Sequence, residues 1–120
     1  PDARVQLMPH SGPFARGIHL TASMPLADGV TVADACATYA DAYADSAFAT
    51  FDAEATPELR AVVGSNRASL GLVERDGWLH VTCCIDNVLK GGSGQAIQAL
   101  NLMSGLPETT GLPTAGLGVC

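Results

Sequence analysis

Three stretches of the sequence have the hydrophobic pattern of β-strands. From Arg16 to Leu26 apolar residues alternate with polar ones, which predicts a strand with one solvent-facing side. The apolar runs Ala68–Glu74 and Trp78–Asp86 are joined by Arg75-Asp76-Gly77, and Asp-Gly favours a hairpin turn, so these two strands are predicted to be antiparallel neighbours. Shorter extended pieces are predicted at Arg4–Leu7, Ser46–Phe51 and Leu59–Val63.

Two stretches repeat at helical spacing. Thr31 is placed to cap a helix from Val32 to about Ala44, and a second helix is predicted over Gln95–Ser104, ended by Gly105. The first helix carries an apolar stripe of Val32, Cys36, Tyr39 and Tyr43, with Asp34, Asp41 and Asp45 on a solvated face. The second has Ala96, Leu100 and Met103 on one side and Gln95, Gln98 and Asn101 on another. This order predicts an α+β fold, a mixed or antiparallel sheet with its helices packed on one face.

The remaining segments are predicted to be connections. Met8–Pro13 and Asp52–Glu58 contain proline and read as loops, and Gly64–Arg67 reads as a turn. Leu106–Cys120 is rich in Gly, Pro and Thr without a period, which predicts an extended surface tail. We therefore expect one domain over residues 1–105, incomplete at its N-terminus because the chain starts at Pro1 without Met, and a tail over 106–120.

Composition narrows the class of protein. The net charge is −6, and the six basic residues are scattered rather than clustered, so we expect no nucleic-acid partner. No apolar run approaches the roughly 20 residues that cross a bilayer, and no signal peptide is evident, so we expect a cytoplasmic protein without a membrane partner. The low charged fraction favours a surface that is covered by another domain or subunit.

The cysteines and histidines do not form a recognisable reactive or metal-binding pattern. Cys83 and Cys84 are adjacent in a strand and point to opposite faces, and no Cys/His spacing indicates zinc. We interpret all four cysteines as buried, reduced thiols, and no metal is expected. The histidines are interpreted as packed or surface residues because none has a carboxylate partner at fixed spacing; the residues are Cys36, Cys83, Cys84, Cys120, His10, His19 and His80.

A glycine-rich segment, Lys90–Gly94, lies between the last strand and the last helix. Three glycines in four positions let the backbone take unusual conformations and let another molecule approach closely. A helix N-terminus with a nearby lysine suits an anionic ligand, whereas a plain turn that packs the helix on the strand explains the same residues. Likewise, Arg16 suits either a surface salt bridge or a fork that holds a carboxylate or phosphate. The residues alone leave both alternatives open.

Three motifs, in the expected order, closely resemble the C-terminal part of N-acetyl-γ-glutamyl-phosphate reductases, a family related to aspartate-semialdehyde dehydrogenase. The motifs are Met8-Pro9-x-x-x-Pro13-x-x-Arg16-Gly17-Ile18-x-x-Thr21; Val63-Gly64-Ser65-Asn66; and Asp86-Asn87-x-x-Lys90-Gly91-x-Ser93-Gly94-Gln95-Ala96-x-Gln98-x-x-Asn101-Leu102-Met103, continued by Gly105-Leu106-x-Glu108-Thr109-Thr110-Gly111-Leu112. Two small departures are Gly92, where the family commonly has Ala, and Ala99, where it often has Asn.

The resemblance implies a substrate and dimerisation domain of the semialdehyde dehydrogenase type. It implies NADP as cofactor, an acyl phosphate of arginine biosynthesis as substrate, a dinucleotide-binding N-terminal half as partner, and a homo-oligomer, either dimer or tetramer. It places Arg16, Ser65 and Asn66 at the substrate. It places a longer set on the nicotinamide side, namely Lys90, Gly91, Gly92, Ser93, Gly94, Gln95, Gln98 and Asn101.

The catalytic groups of that family are expected to lie outside this chain. No cysteine stands in a Gly-Cys-Tyr-Pro-Thr motif, and neither the family's histidine segment nor a GxGxxG fingerprint is present. We therefore expect an oxidoreductase domain without catalytic residues of its own, inactive when alone. The alternatives are a non-catalytic assembly module that keeps the fold, a reductase acting on a carrier-linked aminoadipyl or glutamyl phosphate, and an autonomous anion-binding domain.

Overall fold

The computed structural model describes residues 4–118, which fold into a five-stranded mixed sheet with three α-helices. The strands are β1 (Gln6–His10), β2 (Ile18–Pro25), β3 (Ala49–Phe51), β4 (Ala68–Arg75) and β5 (Trp78–Ile85). The helices are α1 (Val32–Tyr43), α2 (Leu59–Val62) and α3 (Gly94–Met103). Cys120 and the first three residues lie outside the described part.

The strands lie in the order β1-β2-β5-β4-β3, and only β3 and β4 run parallel. The predicted hairpin joins β4 to β5: Asp76 and Gly77 have φ of 51° and 79°, which is the positive-φ pair of a type I′ turn. The α+β class and the mixed sheet are thus as predicted.

Two local predictions were wrong. Residues 8–10 were predicted to be in a loop but continue β1, because an edge strand tolerates Pro9, whose missing N–H need not pair. Leu59–Val63 was predicted to be extended, but residues 59–62 form the single turn of α2. So short an apolar run has no period that distinguishes a strand from a helix.

Helix α1 packs on one face of the sheet. Thr31 and Asp34 form a capping box at its N-terminus, as the Thr31 cap predicted. Its buried contact is Ala35 against Leu79 and Val81 of β5. Val32 of the predicted stripe is exposed instead, so the packed stripe is centred one residue before Cys36.

The opposite face of the sheet is covered by the segment that leads into α2. Leu70 and Leu72 face the α1 core, so Gly71 between them faces away, and a Cβ on Gly71 would meet Ala55 and Pro57. This connection therefore requires glycine at position 71. The segment that leads into α2 therefore lies on the face opposite to α1.

The glycine-rich segment is helical rather than a loop. Residues Leu89–Ser93 form a π-helical turn that runs into α3, with Gly92 at its kink (φ −153°, ψ −112°). The prediction of an open loop was wrong because these residues extend the helix upstream through wider hydrogen bonds.

Residues 106–118 have no helix or strand, which agrees with their aperiodic composition. They are nevertheless held on the domain. The Asn66 N–H donates to the Pro113 carbonyl at 2.8 Å, the Leu117 N–H donates to the Val63 carbonyl at 2.8 Å, and Leu112 is buried. This segment therefore closes over the turn that contains Ser65 and Asn66.

Candidate functional site

One end of the sheet brings the predicted site segments together. Ile85, the last residue of β5, pairs with Ile18 at the start of β2 and with Ala68 at the start of β4. Arg16 lies just before β2, Ser65-Asn66 lies just before β4, and the π-helical turn follows β5. These three strand ends lie side by side. We call this region the Ile85 end of the sheet.

A single carboxylate, that of Asp86, connects these segments. It is fully buried, and both of its oxygens accept from Arg16 Nη2, at 2.8 and 2.7 Å. Oδ2 also accepts from the Gly64 N–H at 2.7 Å, and Oδ1 accepts from the N–H groups of Val88 and Leu89 at 2.7 and 2.9 Å. Asp86 thus fixes Arg16, the turn before β4 and the entry to the π-helical turn.

The pKa of Asp86 reflects these contacts. Burial raises the pKa, but the hydrogen bonds from Gly64, Leu89, Arg16 and Val88 outweigh it and lower the pKa to about 2. The carboxylate is therefore ionised throughout the physiological pH range.

This lowered pKa predicts a pH dependence of stability. In the unfolded chain the pKa is near its ordinary value of 3.8, so acid protonates the unfolded state first. The contribution of Asp86, on the order of 2 kcal/mol, is expected to be complete above about pH 5 and lost as pH falls toward 2. Urea unfolding of wild type and Asp86→Asn checks this: their difference should be much smaller at pH 2.5 than at pH 7. An equal difference at both pH values would contradict the assignment.

A second polar chain runs from the turn before β4 to α3. Gln98 Oε1 accepts from Asn66 Nδ2 at 2.8 Å and from Lys90 Nζ at 2.7 Å, and Gln98 Nε2 donates to Glu108 Oε1 at 2.5 Å. Asn101 Nδ2 donates to the carbonyls of Glu108 and Thr110. The side-chain bonds of Gln98 and Asn101 are therefore made within the domain.

Lys90 is held but remains partly open to solvent. Its ammonium lies 5.7 Å from the centre of the Phe48 ring and bonds to Gln98, which leaves further N–H donors. Burial lowers the pKa of Lys90, and the charge of Glu108 opposes that change. Of the predicted nicotinamide-side residues, Lys90 and the exposed Gln95 are the ones whose side chains reach solvent with donors to offer.

Ser65 and Asn66, predicted at the substrate, face inward. Both are fully buried; Ser65 Oγ donates to the Val62 carbonyl at 2.7 Å and accepts from the Arg67 N–H. Asn66 Oδ1 is buried without a hydrogen-bond partner within residues 4–118. The structure thus places Arg16, but not these two side chains, at the surface of the Ile85 end.

The amides of the glycine-rich turn are largely engaged. The N–H of Gly91 donates to the Asp86 carbonyl, that of Ser93 to the Val88 carbonyl, and that of Gly94 to the Leu89 carbonyl. The open N-terminal cradle that the sequence suggested is therefore absent from this turn, and Gly94 is needed for space instead. A Cβ there would overlap Asn66 Oδ1 and lie 2.8 Å from the Leu89 carbonyl oxygen.

Helix α3 buries its polar side and exposes its apolar side. Gln98 and Asn101 are buried, whereas Leu100 is 59% and Met103 86% exposed, and Ile97 is exposed beside them. This is the reverse of an ordinary surface helix. We call Ile97, Leu100 and Met103 the α3 apolar face.

Within residues 4–118 two imidazoles bond to hydroxyls rather than to carboxylates, His10 to Thr21 and His80 to Ser23. The described thiols are not activated either. Burial, followed by the neighbouring Cys83 and Glu58, raises the pKa of Cys84 to about 11, so the thiol stays protonated at neutral pH. Cys36, Cys83 and Cys84 are free, and Cys83 and Cys84 face opposite sides of β5 as predicted. Only Cys84 is fully buried, so the burial predicted for all cysteines was wrong for Cys36 and Cys83.

Cys84 is accordingly expected to resist alkylation in the folded protein. Iodoacetamide at pH 8, followed by mass spectrometry, should modify Cys36 well before Cys84, because Cys84 is buried and protonated. The same reagent in urea provides the control, since both thiols should then react. Rapid modification of Cys84 in the folded protein would contradict the burial and the raised pKa of this thiol.

Sequence reasoning missed several members of the site. Asp86 and Asn87 begin the third motif, but no role in the site was predicted for either; a carboxylate at the end of a buried run was the available signal for Asp86. Asn87 Oδ1 accepts from the Gly17 N–H at 2.8 Å. Glu108 and Phe48 come close to Lys90 only through tertiary folding, so no local pattern identified them.

The described residues contain neither a metal-binding cluster nor a membrane-spanning helix. No cluster of three or more His, Cys, Asp or Glu side chains in residues 4–118 is arranged to hold a metal ion. No helix in that range combines the length and apolar character of a membrane span.

The fold and the Ile85 end define the class of protein. A family model described as the semialdehyde dehydrogenase dimerisation domain matches residues 1–87. A crystal structure of aspartate semialdehyde dehydrogenase II from Vibrio cholerae, complexed with ASA, has the same fold (TM-score 0.57, 15% identity, 74% of this chain and 27% of that one). The chain belongs to the semialdehyde dehydrogenase dimerisation-domain family, which indicates oligomerisation.

Relatives with higher sequence identity are named N-acetyl-γ-glutamyl-phosphate reductase, which is the family that the motifs resemble. The Corynebacterium glutamicum protein is 40% identical over 95% of this chain and 34% of its own length. The Tolumonas auensis protein is 42% identical over 91% of this chain and 32% of its own length. The Thermus thermophilus protein is 40% identical over 95% of this chain and 33% of its own length. The chain therefore spans about a third of these relatives and corresponds to their C-terminal part.

Proposed function

We propose that this chain is the substrate-side and assembly domain of an NADP-dependent N-acetyl-γ-glutamyl-phosphate reductase, which converts an acyl phosphate to a semialdehyde in arginine biosynthesis. The observation that carries the proposal is the identity of about 40% to reductases of that name over nearly the whole chain. We propose a cytoplasmic location, which the free thiols support.

On the substrate side, the proposal gives Arg16 the direct contact. It is the partly exposed cation at the Ile85 end, and a guanidinium suits both carboxylate and phosphate. Ser65 and Asn66 act in this proposal as buried supports, since they shape the turn whose Gly64 N–H binds Asp86. None of these side chains is a nucleophile or an acid–base group.

On the cofactor side, Lys90 and Gln95 fit a nicotinamide nucleotide because they offer donors at the surface. Gln98 bonds to Lys90, and Asn101 bonds to the 106–118 segment. The turn that carries Lys90 is formed by Gly91, Gly92, Ser93 and Gly94. When bound, NADPH supplies the hydride. The chain's own contribution is to hold an anionic group of the substrate through Arg16 and the cofactor through Lys90 and Gln95.

The proposed partner is a dinucleotide-binding half, docked on the α3 apolar face. That face lies on the helix that follows Lys90 and carries Gln95, so a domain that holds the rest of the cofactor would cover it. Burying three large apolar side chains of this kind stabilises an interface by several kcal/mol, roughly 1.5–3 for each. A homodimer or homotetramer then forms through other surfaces, in line with the dimerisation-domain family.

Met103→Glu is expected to separate docking from folding. Met103 is exposed, so the free energy of unfolding of this chain alone should change by less than about 0.5 kcal/mol. In the complete reductase, meaning this chain joined to its dinucleotide-binding half, kcat/KM for NADP should fall at least about tenfold because a charge is buried at the interface. Val32→Glu, on exposed Val32 of α1, is the matched control and should leave kcat/KM unchanged. Equal losses in both variants would contradict the docking surface.

The proposed reaction is tested with the complete reductase and defined substrates. Reduction of NADP by N-acetylglutamate semialdehyde with phosphate should be observed, and the carrier-linked aminoadipyl or glutamyl substrates should react poorly. Preference for a carrier-linked substrate would move the assignment to that sister activity. A folded complete protein with neither activity would refute the reductase proposal and leave the assembly module, which the exposed α3 apolar face also supports.

A further inference from the structure

Asp86 binds Arg16 in an incomplete way. Both carboxylate oxygens contact the same nitrogen, Nη2, whereas a fully used arginine–carboxylate pair employs two nitrogens in a parallel fork. Among residues 4–118, Nε is buried without a hydrogen-bond partner, whereas Nη1 is without a partner there and is not buried. The guanidinium is therefore held at one corner and keeps donors unused.

The backbone around Arg16 is fixed as well. Gly17 has φ +107°, and its N–H donates to Asn87 Oδ1 at 2.8 Å, while a Cβ on Gly17 would be too close to Leu59. Asp86 and Asn87 thus hold the side chain of Arg16 and the peptide that follows it. An arginine restrained in this way loses little conformational freedom when it binds a further group.

Asp86 itself is placed to support rather than to touch a ligand. It is completely buried, and its remaining lone pairs are filled by three backbone N–H groups, so it presents no free oxygen. These donors spread its negative charge into the protein and away from the open side of Arg16, whose side chain is 40% exposed.

We propose that Asp86 is a positioning residue that holds Arg16 by Nη2 so that Nη1 donates to an anionic oxygen of the substrate. This inference rests on the proposed reductase function. The anionic group is either the phosphate or the α-carboxylate of the acylated amino acid, because the oxygens of both accept charge-assisted hydrogen bonds from a guanidinium. A purely structural ion pair would instead use Nη1 together with Nη2 for Asp86 in a parallel fork.

The test is steady-state kinetics of Asp86→Asn in the complete reductase, measured as NADP reduction with phosphate, N-acetylglutamate semialdehyde and NADP each varied. We expect KM to rise at least about tenfold for the group that Arg16 binds, with KM for NADP within about twofold of wild type. A rise in KM for phosphate assigns the phosphate, and a rise in KM for the semialdehyde assigns the carboxylate. Unchanged KM for both in an active enzyme would overturn the inference, whereas an inactive wild type would overturn the proposed function itself.

A double-mutant cycle separates positioning from general damage. If Asp86 acts through Arg16, Asp86→Asn should add less than about threefold to the loss in kcat/KM already caused by Arg16→Gln. Additive losses would overturn the inference. Glu58→Gln, which removes the charge of an exposed ion pair with Arg60, is the control and should match wild type.

A third variant covers the case in which Asp86→Asn does not fold. Arg16→Lys keeps a cation for Asp86 but has a single nitrogen, so it cannot bond Asp86 through one nitrogen and offer a second to the substrate. We expect it to fold and to show the same rise of about tenfold or more in KM for one anionic substrate. Wild-type KM values for Arg16→Lys would overturn the inference.

Discussion

Replacing Asp86 by Ala is expected to lower the free energy of unfolding of this domain by about 3 kcal/mol. The change leaves a guanidinium and three backbone N–H groups without their acceptor, and removing one partner of a buried pair typically costs 3–5 kcal/mol. The lower end of this range applies because the Arg16 side chain is 40% exposed and water can replace part of its contact with Asp86. Because small domains are stable by only about 5–15 kcal/mol, Tm should fall by roughly 10 °C.

Urea unfolding and calorimetry at pH 7 measure this effect directly. The matched control is Glu58→Ala, which removes the carboxylate of the exposed ion pair with Arg60 and should cost less than about 1 kcal/mol. Similar losses in the two variants would mean that Asp86 is no more than a surface ion-pair partner. That result would remove the structural basis for a site organised around it.

Replacing Gly94 by Ala is expected to destabilise the domain by about 2 kcal/mol, although it lies in a helix. Gly94 has φ −65° and ψ −39°, values that alanine adopts readily, and at an open helical position the change would stabilise by up to about 1 kcal/mol. Here the new methyl group would collide with Asn66 Oδ1 and the Leu89 carbonyl, and overpacking of this kind costs about 1–3 kcal/mol.

The sign of the change in the free energy of unfolding of Gly94→Ala therefore shows which effect is larger, the steric overlap of the new methyl group or the helical preference of alanine. Chemical unfolding should show a loss, accompanied by a shift in the NMR signals of the Asn66 and Gln98 side-chain amides, which lie in the same hydrogen-bonded chain. Ala96→Ser, which also adds one heavy atom to α3 but at an exposed position, should change stability by less than about 0.5 kcal/mol. A stabilised Gly94→Ala would show that α3 does not approach the turn before β4 this closely.

Local sequence patterns were sufficient for most of the sheet. The period of two in β2, the Asp76-Gly77 turn and the Thr31 cap each specify conformation through neighbouring residues, and each was found where it was predicted. Residues 59–62 and 8–10 were mispredicted because a single turn of helix and an edge strand through Pro9 depend on what packs beside them. The conformation of these short elements is therefore determined by tertiary contacts rather than by local sequence.

The candidate site was predictable in part. The motifs identified Arg16, the turn before β4 and Lys90, and the sheet topology explains why these distant segments meet at the Ile85 end. The inward orientation of Asn66 and the buried polar side of α3 were not predictable, because amphipathic periodicity does not say which side faces the domain. Buried polar chains such as that from Asn66 to Glu108 are recognised only when all their partners are in place.

Reductase activity by complementation tests the central claim most directly. This chain should be inactive alone, because neither the nucleophile motif nor the dinucleotide fingerprint occurs in this sequence. A separately produced dinucleotide-binding half should be inactive alone because it lacks the substrate contact of Arg16. Their mixture should reduce NADP with N-acetylglutamate semialdehyde and phosphate, and the same mixture with Arg16→Gln should lose most of that activity. A folded chain that binds the other half yet restores no activity, or activity that Arg16→Gln leaves intact, would contradict the account.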